Sequence, residues 1–228
     1  MTLQHVDIFF KVIAFLFAIS FHESAHAWMA NRRGDPTARM LGRISLNPIK
    51  HIDPVGTILL PLIAMVTHFP LLGWAKPTPV DPRNFKNPVL DDILTAVVGP
   101  TSNFLVAAAT VLVLGGLAFL APGGWPVLHG VVNGYMASDS LFVPVDLLLY
   151  DLMIINVVLG VFNLIPVPPL DGSHVLRHFL PERVRQVYDM AGIFGLMALV
   201  YLAPGLLGRL IGPVIGAFSA ALLSMAPS

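Results

Sequence analysis

Residues Phe21–Trp28, FHESAHAW, set a histidine, a glutamate and a second histidine inside an apolar run that begins near Val6. Ionisable groups in a membrane span are costly to keep, so these side chains point to chemistry. On a helix, His22 and His26 lie at i and i+4 on one face, with Cβ atoms roughly 6 Å apart. Two imidazoles at that spacing can bind one tetrahedral Zn²⁺, whereas Mg²⁺ and Ca²⁺ take oxygen ligands. Glu23 stands beside the pair without having to be a ligand and can accept a proton from an attacking water. It is one of two glutamates in the chain. The competing explanation is a structural pair of histidines hydrogen-bonded between helices.

A catalytic zinc needs a third protein ligand and an open position. Asp171, in FNLIPVPPLDGSHVL, is the best candidate because the prolines before it break the preceding helix and free the carboxylate to turn inward. It lies six residues before Arg177, as His26 lies six before Arg32. Both positions are therefore about 9 Å of helical rise from a basic boundary. The DGS sequence also fits a helix N-cap, and both roles stay open at this point. Asn103 in GPTSN and Asn163 in FNLIP are polar groups in apolar runs. They are candidates for holding an oxyanion or substrate backbone, or for bonding helices together. His51 in KHIDP is a candidate for positioning substrate or a metal-bound water, and its loop setting also fits a surface histidine.

The elements that must carry these residues are membrane segments. Of 228 residues 56% are hydrophobic and only 11% charged, against ~25% charged in a soluble domain. The formal net charge is zero, which gives no reason to expect a nucleic-acid partner. Cysteine is absent, so disulfides and thiolate ligands are excluded. The N-terminal MTLQHVD lacks a basic leader, and the first apolar run is expected to be retained. A bilayer core of ~30 Å needs about 20 helical residues. Five runs come into question: Val6–Ala30, Asp53–Trp74, Ile93–Leu120, Leu141–Ile165 and Tyr188–Met225, the last long enough for two spans.

Of the 13 Lys and Arg, eight fall between Arg32 and Lys86, three between Arg177 and Arg185, and none in Ala121–Asp139. The positive-inside rule makes the first two stretches cytoplasmic and the third external. A full crossing by Asp53–Trp74 would violate that pattern, so this proline-broken run is expected to re-enter, the alternative being a true span. TARMLGRISLN suggests a short β-hairpin bending near Gly42. The expected fold is an all-α integral membrane protein. It is a polytopic helical bundle with a short membrane-associated β-hairpin and a re-entrant segment. One domain is expected over residues 1–228, with its core at 6–180 and a C-terminal helical hairpin at 186–226.

FHESAHAW together with NLIPVPPLDGSHVL resembles the site-2 protease family of intramembrane zinc metalloproteases. The resemblance extends to GRISLNPIKHIDPVGT, GWAKPTPV and VVGPTSN, covering roughly Ile19 to Leu176. It implies one Zn²⁺ per chain held by His22, His26 and Asp171, with Glu23 as the base. It also implies hydrolysis of peptide bonds within or near the transmembrane segments of single-span membrane protein substrates. The expected location is a prokaryotic cell membrane, crossed several times, with the active site near the cytoplasmic side. Compared with larger family members, the chain shows no helix before the HExxH helix and no inserted PDZ domain. A membrane metal transporter and a non-catalytic zinc-binding scaffold are the rival classes. Transporters commonly carry internal repeats, none of which is found here, and a dead scaffold has no need of Glu23.

Overall fold

The computed structural model describes residues 3–59, 75–135, 140 and 142–227. Among these residues the chain is helical and has no β-strand. Helix α1, Leu3–Arg33, runs 31 residues without glycine or proline. Its last turn carries Arg32 and Arg33, cations that suit the negative end of the helix dipole. Gly34, at φ 118°, takes the chain off the helix in a conformation open to glycine. A single turn α2, Thr37–Met40, follows. The long helices are α3, Pro88–Leu120, and α5, Val143–Asn163, with the short α4, Gly124–Val132, between them. The chain then forms α6, Asp171–Arg177, α7, Glu182–Leu202, and α8, Pro204–Leu223.

Among the described residues four helices are long and apolar enough to cross a membrane: α1 from Val6, α3, α5, and α8 from Gly205. The chain is thus a multi-pass membrane protein. The run Tyr188–Met225 does divide into two helices, broken at Ala203, but α7 does not join the four candidate spans found among the described residues.

The β-hairpin expected around Gly42 does not form. Thr37 N–H bonds Asp35 Oδ1 at 3.1 Å, Gly42 N–H bonds the Arg39 carbonyl at 2.9 Å, and Arg43 N–H bonds the Ala38 carbonyl at 2.9 Å. These local turns use the backbone groups that a strand ladder would need. Gly42 still bends the chain, at φ 66°. Most of the expected re-entrant segment, Asp53–Trp74, lies outside the described residues. Its start, Pro54–Leu59, is a π-helical turn. Asp53 Oδ1 caps it by accepting the N–H groups of Val55 at 3.0 Å and Gly56 at 2.7 Å.

The chain clusters into two compact units. In Ile19–Gly99, the end of α1 is tied to the start of α3 by Arg33, whose Nη2 lies 2.5 Å from Asp91 Oδ1. The Asp91 side chain is fully buried, and its second oxygen accepts the Asn87 N–H at 2.9 Å. A buried carboxylate needs such a partner. This tie sets the register between the two helix segments. The other unit, Met1–Ala18 with Pro100–Ser228, is built around an apolar core. Ala107, Val111, Leu114 and Ala118 of α3 pack there with Leu128, Met153, Val157 and Leu222.

Candidate active site

Helix α1 sets His22 and His26 one turn apart, and burial leaves them only 6% and 8% exposed. Their Nε2 atoms are 3.0 Å apart, with the rings edge to face. Two Zn–N bonds of 2.0–2.1 Å at the tetrahedral angle would separate the nitrogens by about 3.3 Å, so the spacing suits one zinc. His26 Nδ1 is 2.6 Å from the Thr95 carbonyl oxygen. A carbonyl only accepts, so Nδ1 carries the proton and donates it, leaving the Nε2 lone pair for a metal.

Gly99 on α3 faces this pair. A Cβ at position 99 would stand 2.5 Å from His26 Cε1 and 2.8 Å from His22 Cε1. Glycine therefore keeps open the space beside the ring nitrogens. Gly99→Ala should push the imidazoles out of line and weaken zinc binding by roughly 10–100-fold, the range for residues that orient metal ligands. Zinc titration of the purified variant checks this; unchanged affinity would show that the rings move aside freely.

Asp171, the third ligand that the resemblance implies, belongs to the other compact unit, Met1–Ala18 with Pro100–Ser228. Asp171 is the first residue of α6 rather than its cap. The N-cap position falls on Leu170, whose backbone is extended, and no side chain caps the helix. Gly172 explains the third letter of the LDG motif. A Cβ there would lie 2.6 Å from the Leu164 carbonyl carbon, so only glycine permits that approach.

Glu23 is held from the GWAKPTPV segment, to which the sequence alone assigned no role. Its Oε2 accepts the Thr78 N–H at 3.0 Å and the Thr78 hydroxyl at 2.7 Å. The buried Arg43 guanidinium donates to the carbonyls of Lys50, Lys76 and Pro77. Lys76 N–H in turn bonds the His51 carbonyl at 2.9 Å. Ser24 Oγ, next to Glu23, donates to the Ser45 carbonyl at 2.5 Å and accepts the Ser45 N–H at 3.1 Å. His51 is 1% exposed, so it is a core histidine rather than a surface one. Its Nε2 donates to the Ser45 carbonyl at 2.7 Å. Burial holds its pKa below the usual imidazole range, and the nearby Arg43 and Lys50 charges act in the same direction.

The two asparagines bond within and between helices. Asn103, fully buried, donates to Asn156 Oδ1 at 2.8 Å and to the Ala18 carbonyl at 3.4 Å, bonds that join helices. Asn163 donates back to the Leu159 carbonyl at 3.0 Å, one turn earlier on α5. Thr78, Arg43, Thr95 and Gly99 are the residues that sequence reasoning missed. The one legible trace was KPTPV, where two prolines leave Thr78 as the sole backbone donor of three consecutive residues.

Comparison with known proteins gives the family. The profile of Peptidase family M50 matches residues 10–202. The chain is 35% identical over 193 residues to YwhC of Bacillus subtilis, provisionally named a zinc metalloprotease, covering 85% of this chain and 79% of that protein. It is 26% identical over 220 residues to Rip2 of Mycobacterium tuberculosis, named in the same provisional way, covering 95% of this chain and 76% of that protein. Zinc metalloprotease MJ0392 of Methanocaldococcus jannaschii is 24% identical over 212 residues, 91% of this chain and 46% of its own length. No solved structure matches the chain. With the family profile spanning most of the sequence and 35% identity to YwhC over 193 residues, the chain belongs to Peptidase family M50, the site-2 proteases, and is an intramembrane zinc metalloprotease.

Proposed function

We propose that this protease cuts peptide bonds within or near the membrane-spanning helix of single-span proteins, with His22, His26 and Asp171 holding one zinc ion and Glu23 acting as general base. The observation that carries the reading is the pairing of two buried imidazoles, their Nε2 atoms 3.0 Å apart, with a carboxylate on the adjacent residue that is fixed by its own hydrogen bonds. Zinc held there supplies Lewis acidity towards water and a peptide carbonyl. Thr95 keeps His26 in the ligating tautomer. Glu23 takes the proton of the attacking water and returns it to the leaving amine. A helical substrate has its carbonyls locked in hydrogen bonds, so it must unwind before it can be cut. Family membership and the intact base argue against the transporter and scaffold readings.

The test is co-expression with tethered single-span proteins, wild type beside Glu23→Gln. New chain ends inside the substrate's span, made only by the wild type, are the expected result. An uncut panel would count against the proposed substrate class.

The basic stretches Arg32–Lys86 and Arg177–Arg185 support a site near the cytoplasmic face of the membrane. The chain has no cysteine to confuse labelling. A Lys86→Cys variant should react with an impermeant thiol reagent only after the membrane is opened, and Tyr135→Cys should react in intact cells. The opposite pattern would invert the orientation.

A further inference from the structure

We infer that Thr78 is the positioning residue of the general base, fixing Glu23 Oε2 so that Oε1 is the oxygen left to take the proton. The inference rests on the reading of Glu23 as base. Both donors of Thr78 converge on one oxygen, the N–H at 3.0 Å and the hydroxyl at 2.7 Å. The hydroxyl also lies 3.0 Å from the Glu23 carbonyl oxygen. It has one proton to give, and the shorter contact to the carboxylate takes it. Among the described residues no hydrogen bond reaches Oε1.

Thr78 is itself held. Pro77 and Pro79 flank it, and a residue before proline is driven to extended backbone. The Arg43 guanidinium, whose residue is 5% exposed, bonds the two carbonyls that precede Thr78, those of Lys76 and Pro77. Lys76 N–H is anchored on the His51 carbonyl at 2.9 Å. The strap Lys76–Thr78 therefore arrives at Glu23 already rigid. Without it a glutamate would sample several rotamers, and a misplacement of about 1 Å can cost roughly 10²-fold in rate.

Thr78→Val keeps the shape and the backbone N–H and deletes the hydroxyl. It should lower kcat by about 10–100-fold with KM and zinc content unchanged. Thr78→Ser, which keeps the hydroxyl, should recover most of that loss. If Thr78→Val does not accumulate, Thr78→Ala is read the same way. A second readout needs neither metal nor turnover. The chain has two glutamates, so protein labelled with carboxyl-¹³C glutamate gives two side-chain carboxyl resonances. In metal-free Thr78→Val the Glu23 resonance should move and that of Glu182 should stay. Unchanged kcat in Thr78→Val beside an inactive Glu23→Gln overturns this inference alone. So does an equal loss in the valine and serine variants, or an unmoved Glu23 resonance. Wild-type turnover in Glu23→Gln overturns the base assignment beneath it.

Discussion

Glutamine at position 23 should leave zinc bound and lower peptide hydrolysis by about 10²–10⁴-fold. The substitution keeps the length and volume of the side chain, and the amide oxygen can still accept both Thr78 bonds, at 3.0 and 2.7 Å in the wild type. What it removes is the basic oxygen. The two imidazoles are untouched, and His26 stays oriented by the Thr95 carbonyl at 2.6 Å, so metal content should not fall. Zinc analysis of the purified variant, run beside cleavage of a tethered single-span substrate, separates the roles. Bound zinc with lost cleavage is the signature of a base. Loss of zinc would recast Glu23 as a ligand, and full turnover would remove it from the mechanism.

Asp171→Ala should lose zinc as well as activity. Two imidazoles supply neutral donors, and a catalytic zinc takes one more protein ligand. A carboxylate also offsets part of the metal's charge where the surroundings are poor in water. Because α6 starts with Asp171 and no side chain caps that helix, a capping role does not account for it. Loss of a direct ligand should weaken zinc binding by more than the roughly 10–100-fold typical of outer-shell changes. Asp53→Ala is the matched control. Its carboxylate caps Pro54–Leu59 through the N–H groups of Val55 and Gly56, so zinc should remain. Full zinc in Asp171→Ala would reopen the search for the third ligand.

The i, i+4 spacing of His22 and His26 was enough to pair them, because helix geometry is local and an uninterrupted apolar run from Val6 had to be helical. Four long apolar runs were legible for the same reason: α1, α3, α5 and α8 each declare themselves by length and composition. Asp171 stood out in the sequence as an acidic side chain after a run of prolines, and a helix does start on it. The expected β-hairpin failed because alternation of residue types does not reveal where backbone N–H groups go, and those of Thr37, Gly42 and Arg43 close local turns. His51 looked like a loop histidine, yet it is buried against the Ser45 carbonyl. Thr78 reaches Glu23 across 55 positions, Thr95 reaches His26 across 69, and Gly99 acts by the side chain it lacks. The types and spacing of the reactive groups are thus a property of the sequence. Their tautomers, bonded oxygens and clearances were decided only when distant segments packed, because each depends on a neighbour that no local pattern names.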